Sequence, residues 1–408
     1  MPGSGLWWER PDLRYRDGRL EFGGRDLAQI AGGGTPAYVY RAGRVRDNLL
    51  RLRAALDAAA VPHDVYFAVK ANRHAPLLDD LRAHGGCGID ACSPAELALA
   101  LERGFPEFRI SYTGHAVSEG DLDVLAAHPG VHVNCDAIST IRRLGRRCPG
   151  RAIGIRLNPG LGAGYNERLA YAGAKPTKFG VYPDRFEEAI AVARSAGMRV
   201  DTLHFHVGSG YQGDALDVLD QVLQGAAPLL DAHPEIRRLN VGGGLGVRMK
   251  EADVPIDLGR WSGIVARHAL PRGLRVAVEP GDYLVKDAGV LLVRVNTVED
   301  KSGTRFVGVD AGLGIVNLAA YYGVPYVVAP LSVRPGTARE RVTISGNINE
   351  AIDLLAEDVE VPLLEEGDLL ALVNVGGYGS AAASNHCMRG AFRELLLPAG
   401  ERQALAGL

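Results

Sequence analysis

Cysteine is scarce in this 408-residue chain, and what there is does not pair. The five cysteines are odd in number and fall without CxxC spacing, which argues for reduced thiols rather than a disulfide framework or a zinc site. No apolar run approaches the ~18 residues that a membrane span requires. The opening Met-Pro-Gly-Ser-Gly-Leu-Trp-Trp-Glu-Arg has no apolar core of signal-peptide length. Excess charge is missing too: a formal net charge of −3 leaves no basic footprint, so nucleic acid is not the expected partner. Internal repeats and low-complexity linkers are absent. These absences leave the expectation of a cytoplasmic protein with a small-molecule partner and no metal.

What is abundant is glycine, 52 residues, within a chain that is 47% hydrophobic, as in a large α/β core with many tight turns. From about residue 62, short apolar runs alternate with longer amphipathic stretches. The runs are Val65–Val69, Gly88–Cys92, Arg109–Thr113, Val131–Cys135, Ile153–Leu157, Leu203–Val207, Leu239–Gly242 and Val276–Glu279. Helix-period stretches such as Pro94–Arg103, Ser118–His128 and Phe186–Ala196 separate them. Eight strands alternating with helices is the count of a (β/α)8 barrel. A doubly wound sheet would carry its glycine fingerprint after the first strand, whereas the triple glycine here follows the seventh. Beyond Glu279, runs at 289–299, 305–310, 325–329, 341–345 and 369–375 predict an all-β module. The expected organisation is a barrel over 38–285, a C-terminal β-domain over 286–408, and a segment 1–37 that joins the β-domain.

Catalytic groups of a barrel gather where its strands end, and polar residues are concentrated there. Lys70 ends the first run, Asp90 lies in the second, Arg156 and Asn158 close the fifth, and His204, His206, Gly208 and Ser209 close the sixth. Gly242-Gly243-Gly244-Leu245-Gly246 follows the seventh and Glu279-Pro280-Gly281 the eighth. A lysine leaving a buried strand is expected to lose solvation, so its pKa falls and its amine can attack an aldehyde, as in the capture of pyridoxal 5'-phosphate (PLP). By itself such a lysine more often simply extends its stem into solvent. The glycine run lets backbone amides approach a phosphate, helped by an ensuing helix N-terminus. Glu279 would keep a pyridine nitrogen protonated, and His206 would stack on the ring.

The segments Tyr66–Asn72, His204–Gly210, Asn240–Gly246, Glu279–Gly281, Val309–Gly312 and Gly376–Gly379 together resemble the fold-type III PLP-dependent decarboxylases, and most closely their diaminopimelate decarboxylase branch. The resemblance runs from Thr35 to the Tyr378 segment. It implies a (β/α)8 TIM-like barrel with a β-domain, PLP as cofactor, and Lys70 as the residue that binds it covalently. It also implies that Asp90, Arg156, His206 and Glu279 surround the cofactor while Ser209, Gly243, Gly244 and Tyr378 hold its phosphate. The family assembles as a homodimer in which the β-domain, with Tyr378, closes the neighbour's barrel mouth.

Three departures bear on the substrate. Asn349 stands where the family carries a reactive cysteine, and an amide cannot deliver a proton as a thiol can. The Glu-Pro-Gly-Arg of the family reads Glu279-Pro280-Gly281-Asp282, an anion for a cation. The expected Arg-Pro-x-Leu-Tyr is replaced by Asn317-Leu318-Ala319-Ala320-Tyr321. Two arginines that would clamp a distal carboxylate are therefore missing. Asp282, Tyr321, Glu350, Asp353 and His386 are the expected substrate contacts, suited to an amino acid with a cationic or hydrogen-bond-donating tail, free or carrier-bound. The protonating group would be Lys70, a water, His386 or Cys387. An amino-acid α-decarboxylase is the first expectation. A racemase or a decarboxylative C–C bond-forming enzyme on the same scaffold, or an inactive binding homologue, remain as alternatives.

Overall fold

The computed structural model describes residues 6–173, 175–334 and 336–399. Eight parallel strands close into a barrel: β1 His63–Ala68, β2 Gly88–Ala91, β3 Ile110–Tyr112, β4 His132–Cys135, β5 Ala152–Arg156, β6 Arg199–His204, β7 Arg238–Asn240 and β8 Arg275–Val278. Val276 and Val278 of β8 pair with His63 and Val65 of β1 to complete the ring. Each predicted run overlaps one of these strands, because fully buried parallel strands read as short continuous apolar segments, though Leu203–Val207 shares only Leu203 and His204 with β6.

The intervening helices bury one face and carry clear start signals. Pro94–Glu102 is capped by Ser93, whose side chain accepts from the Glu96 amide, a contact worth about 1 kcal/mol. Glu119–Ala127 opens with a capping box between Ser118 and Asp121. Among the described residues no helix is long and apolar enough to cross a membrane.

The second module is a sheet in which Val327–Pro330, Leu369–Val373, Gly289–Lys301, Thr304–Val309, Arg339–Ser345 and Leu354–Pro362 lie side by side in that order. Two of its strands escape the sequence pattern. In Leu354–Pro362 an extra residue interrupts the two-residue alternation: Val342 pairs with Val359 but Ile344 with Ala356, and Asp358 takes a φ of 51°. Arg393–Leu397 pairs only with Ala37–Arg41, which in turn pairs with Gly289–Lys301. Ala37–Arg41 thus belongs to the sheet, and the barrel module begins with the helix Ala42–Ala58. The segment before it forms its own three-stranded sheet, Leu13–Arg16, Arg19–Phe22 and Arg25–Asp26. Its Leu13, Leu20 and Phe22 pack with Val290, Leu292, Ala371 and Val373 of the β-domain.

Two ties hold the β-domain against the barrel mouth. Asp287, buried, accepts from Arg44 and from Asn48 on Ala42–Ala58. Closer to the mouth, the Tyr378 amide donates to the Ala71 carbonyl at 2.8 Å and the Asn72 side chain to the Gly376 carbonyl at 2.9 Å. These two bonds join the glycine-rich 376–379 turn to the turn that bears Lys70.

Candidate active site

Lys70 sits in a one-turn helix, Val69–Ala71, directly after β1, where the chain leaves the barrel. Its Nζ lies 3.1 Å from Oδ2 of Asp90 on β2. Burial alone would lower the lysine, as the sequence suggested, but Asp90, with Tyr378, Cys92 and Glu279, outweighs it and raises Lys70 well above its ordinary value. The ammonium is therefore the resting form. Burial and the nearby Glu279 charge push the Asp90 carboxyl up to about 7. The pair thus sets a buried carboxylate of near-neutral pKa against the lysine nitrogen.

Glu279 follows β8 and points into a layer of polar side chains at the top of the barrel. Its Oε1 accepts from Ser111 of β3 at 3.0 Å and Asn240 of β7 at 2.7 Å, and its Oε2 lies 3.1 Å from His204 Nε2. Asn134 of β4 donates to Ser111 in turn. Barrel interiors are usually filled by branched apolar side chains. Burial would raise this carboxyl, but the opposing pull of His204, Lys70 and Asn240 holds it well below the ordinary glutamate range. Glu279 is a buried permanent anion. Ser111 was not singled out from the sequence; its signal was a polar residue inside an apolar barrel strand.

His206 is buried, and its imidazole is held neutral by burial and by the nearby Arg156 and Lys70 charges. Its Nδ1 accepts from the Gly208 amide at 3.1 Å, which leaves the ring upright against Tyr171, 5.0 Å between centroids. Tyr171 also bonds Ser209 Oγ at 2.9 Å. Arg156 is buried at the end of β5 with its guanidinium 4.5 Å from the Phe179 ring centroid.

Lys70, His206, Ser209, Gly244, Glu279 and Tyr378 line one cleft, together with Asp282. The glycine loop shapes its floor. Gly244 has a φ of +93°, and a Cβ there would lie 2.0 Å from the Gly208 carbonyl; at Gly243 it would meet the Glu279 carbonyl at 2.1 Å. The Gly243 and Gly244 amides donate to no other group of the described chain, so they remain available to an anion. The expected helix N-terminus is not part of this cradle: the next helix begins at Leu258, and amides of an irregular loop take its place. Tyr378 takes a φ of 55°, a strained conformation for a tyrosine that the flanking glycines permit. It lines the same cleft as Lys70 of its own chain, not a neighbour's.

These features fit PLP. A lysine that could take an aldehyde, a buried anion that could face a ring nitrogen, a neutral imidazole and a small-residue cradle with free amides converge on one cleft.

The remaining expected contacts lie elsewhere. Asp353 is buried beneath the loop it organises, accepting from Leu313 at 2.6 Å and Ile348 at 2.7 Å. Glu350 and His386 are exposed and 3.1 Å apart. Asn349 and Tyr321 are exposed as well. Asp282 does line the cleft, but Lys286 Nζ lies 3.1 Å from its Oδ1. Lys286 and Tyr165 were not identified from the sequence.

Comparisons with known proteins find relatives over nearly the whole chain. Residues 43–286 match the family described as pyridoxal-dependent decarboxylase, pyridoxal binding domain. The diaminopimelate decarboxylase of Methanothermobacter thermautotrophicus is 34% identical over 406 residues, covering 96% of this chain and 94% of that protein. That of Streptomyces coelicolor is 30% identical, covering 97% and 91%. Among solved structures, diaminopimelate decarboxylase from M. jannaschii in complex with L-lysine superposes with a TM-score of 0.86 at 25% identity, over 95% of this chain and 93% of that one. The lysine decarboxylase of Selenomonas ruminantium shares the fold, with a TM-score of 0.79 at 21% identity over 96% and 98%. The chain therefore belongs to the fold-type III PLP-dependent decarboxylases and is an amino-acid carboxy-lyase close to the diaminopimelate decarboxylases.

Proposed function

We propose that this enzyme decarboxylates an α-amino acid that lacks a distal carboxylate, as a homodimer in which each β-domain completes its partner's cleft. The observation that carries the substrate reading is the cleft wall after Glu279. It presents Asp282, already paired with Lys286, and no arginine among the described residues lines it. A second carboxylate on the substrate would meet no free cation there. An uncharged or cationic tail does not meet that penalty.

When bound, PLP supplies an electron-withdrawing ring that accepts the electron pair left as the α-carboxylate departs as CO2. The protein's own groups make that possible. Lys70, with Asp90 beside it to take up its proton, would hold the cofactor aldehyde, Glu279 would keep the ring nitrogen protonated, and neutral His206 would pack on a ring face without competing for charge. Ser209, Gly243, Gly244 and Tyr378 hold the phosphate, while Arg156 balances the buried acids. Asn349 offers no acid, so the Lys70 amine, once free of the cofactor, would carry the proton held on Asp90 back to Cα. Asn349, Tyr321, Glu350 and His386 are exposed in the single chain, which suits side chains that reach a partner's cleft.

CO2 release measured with meso-diaminopimelate, L-lysine, L-ornithine and L-arginine tests the substrate. A monocarboxylic amino acid should be turned over fastest, and preference for meso-diaminopimelate would refute the proposal. Mixing inactive Lys70→Ala and Glu350→Ala chains tests the shared site: hybrid dimers should recover part of the activity.

A further inference from the structure

A lysine with no solvent exposure lies directly behind the cofactor cleft. Lys286 is buried completely, and its Nζ is 3.1 Å from Asp282 Oδ1 and 3.2 Å from the Gly377 carbonyl. The rings of Tyr165 and Tyr378 flank it, with centroids 5.8 and 5.7 Å from the ammonium. Tyr165 is itself anchored, since its hydroxyl accepts from the Val247 amide at 3.0 Å in the loop that continues from the glycine cradle. Aromatic faces and a carbonyl oxygen attract positive charge, so the box suits a cationic side chain.

Its counter-ion has an unusual neighbour. Asp282 belongs to the same cleft as Ser209, Gly244 and Tyr378, the groups expected to hold a phosphate. A carboxylate beside a phosphate dianion repels it strongly in a poorly solvated site. The cradle otherwise offers hydroxyls and amides but no guanidinium, and the ammonium of Lys70 is committed to Asp90.

We propose that Lys286 is a positioning residue for the cofactor phosphate: it neutralises Asp282 from behind and so allows a dianion to bind in a cleft walled by a carboxylate. This rests on the cradle described above. Lys286 touches the cofactor only through Asp282 and the Tyr378 ring. Asp282 is correspondingly withdrawn from recognition of a substrate's cationic tail, which leaves that task to Glu350.

Binding of PLP and of pyridoxal, which lacks the phosphate, to the apo forms of wild type, Lys286→Met, Asp282→Asn and the double variant tests the assignment by absorbance titration. Lys286→Met strands a buried carboxylate and should weaken PLP by about tenfold or more, with pyridoxal changed less than about threefold. Asp282→Asn strands a cation instead and should tighten PLP, and the double variant should return close to wild type. Parallel loss of PLP and pyridoxal affinity, or weakening of PLP by both single variants, would overturn the assignment in favour of a packing role. Should Lys286→Met fail to fold, Asp282→Asn decides by sign alone. Wild type that binds PLP no better than pyridoxal would instead refute the cradle itself.

Discussion

Replacing Gly244 by alanine should separate the cradle from the rest of the barrel. The φ of +93° places an added Cβ 2.0 Å from the Gly208 carbonyl oxygen and 2.9 Å from the Tyr211 ring. Backbone on the receiving side cannot rotate away. The loop must shift, and the Gly244 carbonyl accepts from the Gly210 and Tyr211 amides, both at 2.9 Å. A left-handed alanine costs about 1–2 kcal/mol, and each backbone hydrogen bond lost costs about 0.5–1.5 kcal/mol. A total of about 2–5 kcal/mol is survivable for a protein with about 5–15 kcal/mol of stability. The variant should fold but bind PLP at least about tenfold more weakly, since amides must meet the phosphate within tenths of an ångström. Gly225 is the control. It lies exposed in the helix Leu216–Ala232 with nothing within 4 Å of an added Cβ, so Gly225→Ala should gain about 0.5–1 kcal/mol. Urea unfolding and PLP titration read both. If Gly244→Ala changes stability by less than about 0.5 kcal/mol and leaves PLP affinity within about twofold, the steric reasoning is wrong.

Lys70→Ala should abolish borohydride-stable incorporation of PLP while leaving the cradle able to bind it reversibly. Asp90→Asn removes the charge that holds Lys70 above its ordinary value, so the pH midpoint for PLP capture should move to lower pH; an unchanged profile would exclude Asp90 as the controlling group. Glu279→Gln keeps the shape of the buried network but loses its permanent anion, and kcat should fall about a hundredfold or more with PLP still bound. Asp287→Asn strands the buried Arg44 and should cost about 3–5 kcal/mol in chemical denaturation. Because Arg44 and Arg10 outweigh burial and make Asp287 more acidic folded than unfolded, the stability it contributes is complete above the ordinary aspartate range and is lost as pH falls through that range. The stability curves of wild type and the Asp287→Asn variant should therefore converge in acid.

Local chemistry alone made the barrel legible. Short apolar runs separated by amphipathic helices can close in few ways, and Lys70, His206 and Glu279 stand at strand ends where no packing need explains them. The cofactor followed from the same residues. What depended on contacts between distant segments was not readable along the chain. Leu354–Pro362 hid its strand character because the extra residue near Asp358 breaks the alternation that betrays a strand. Burial would have lowered Lys70, but Asp90 on the adjacent strand, 3.1 Å away, together with Tyr378, Cys92 and Glu279, outweighs it. Asp353 and Asp282 looked like free acids because their partners, the amides of Leu313 and Ile348 and the ammonium of Lys286, meet them only after folding. Residue type sets which chemistry is available; distance and burial, which exist only in three dimensions, set which charges remain unspent.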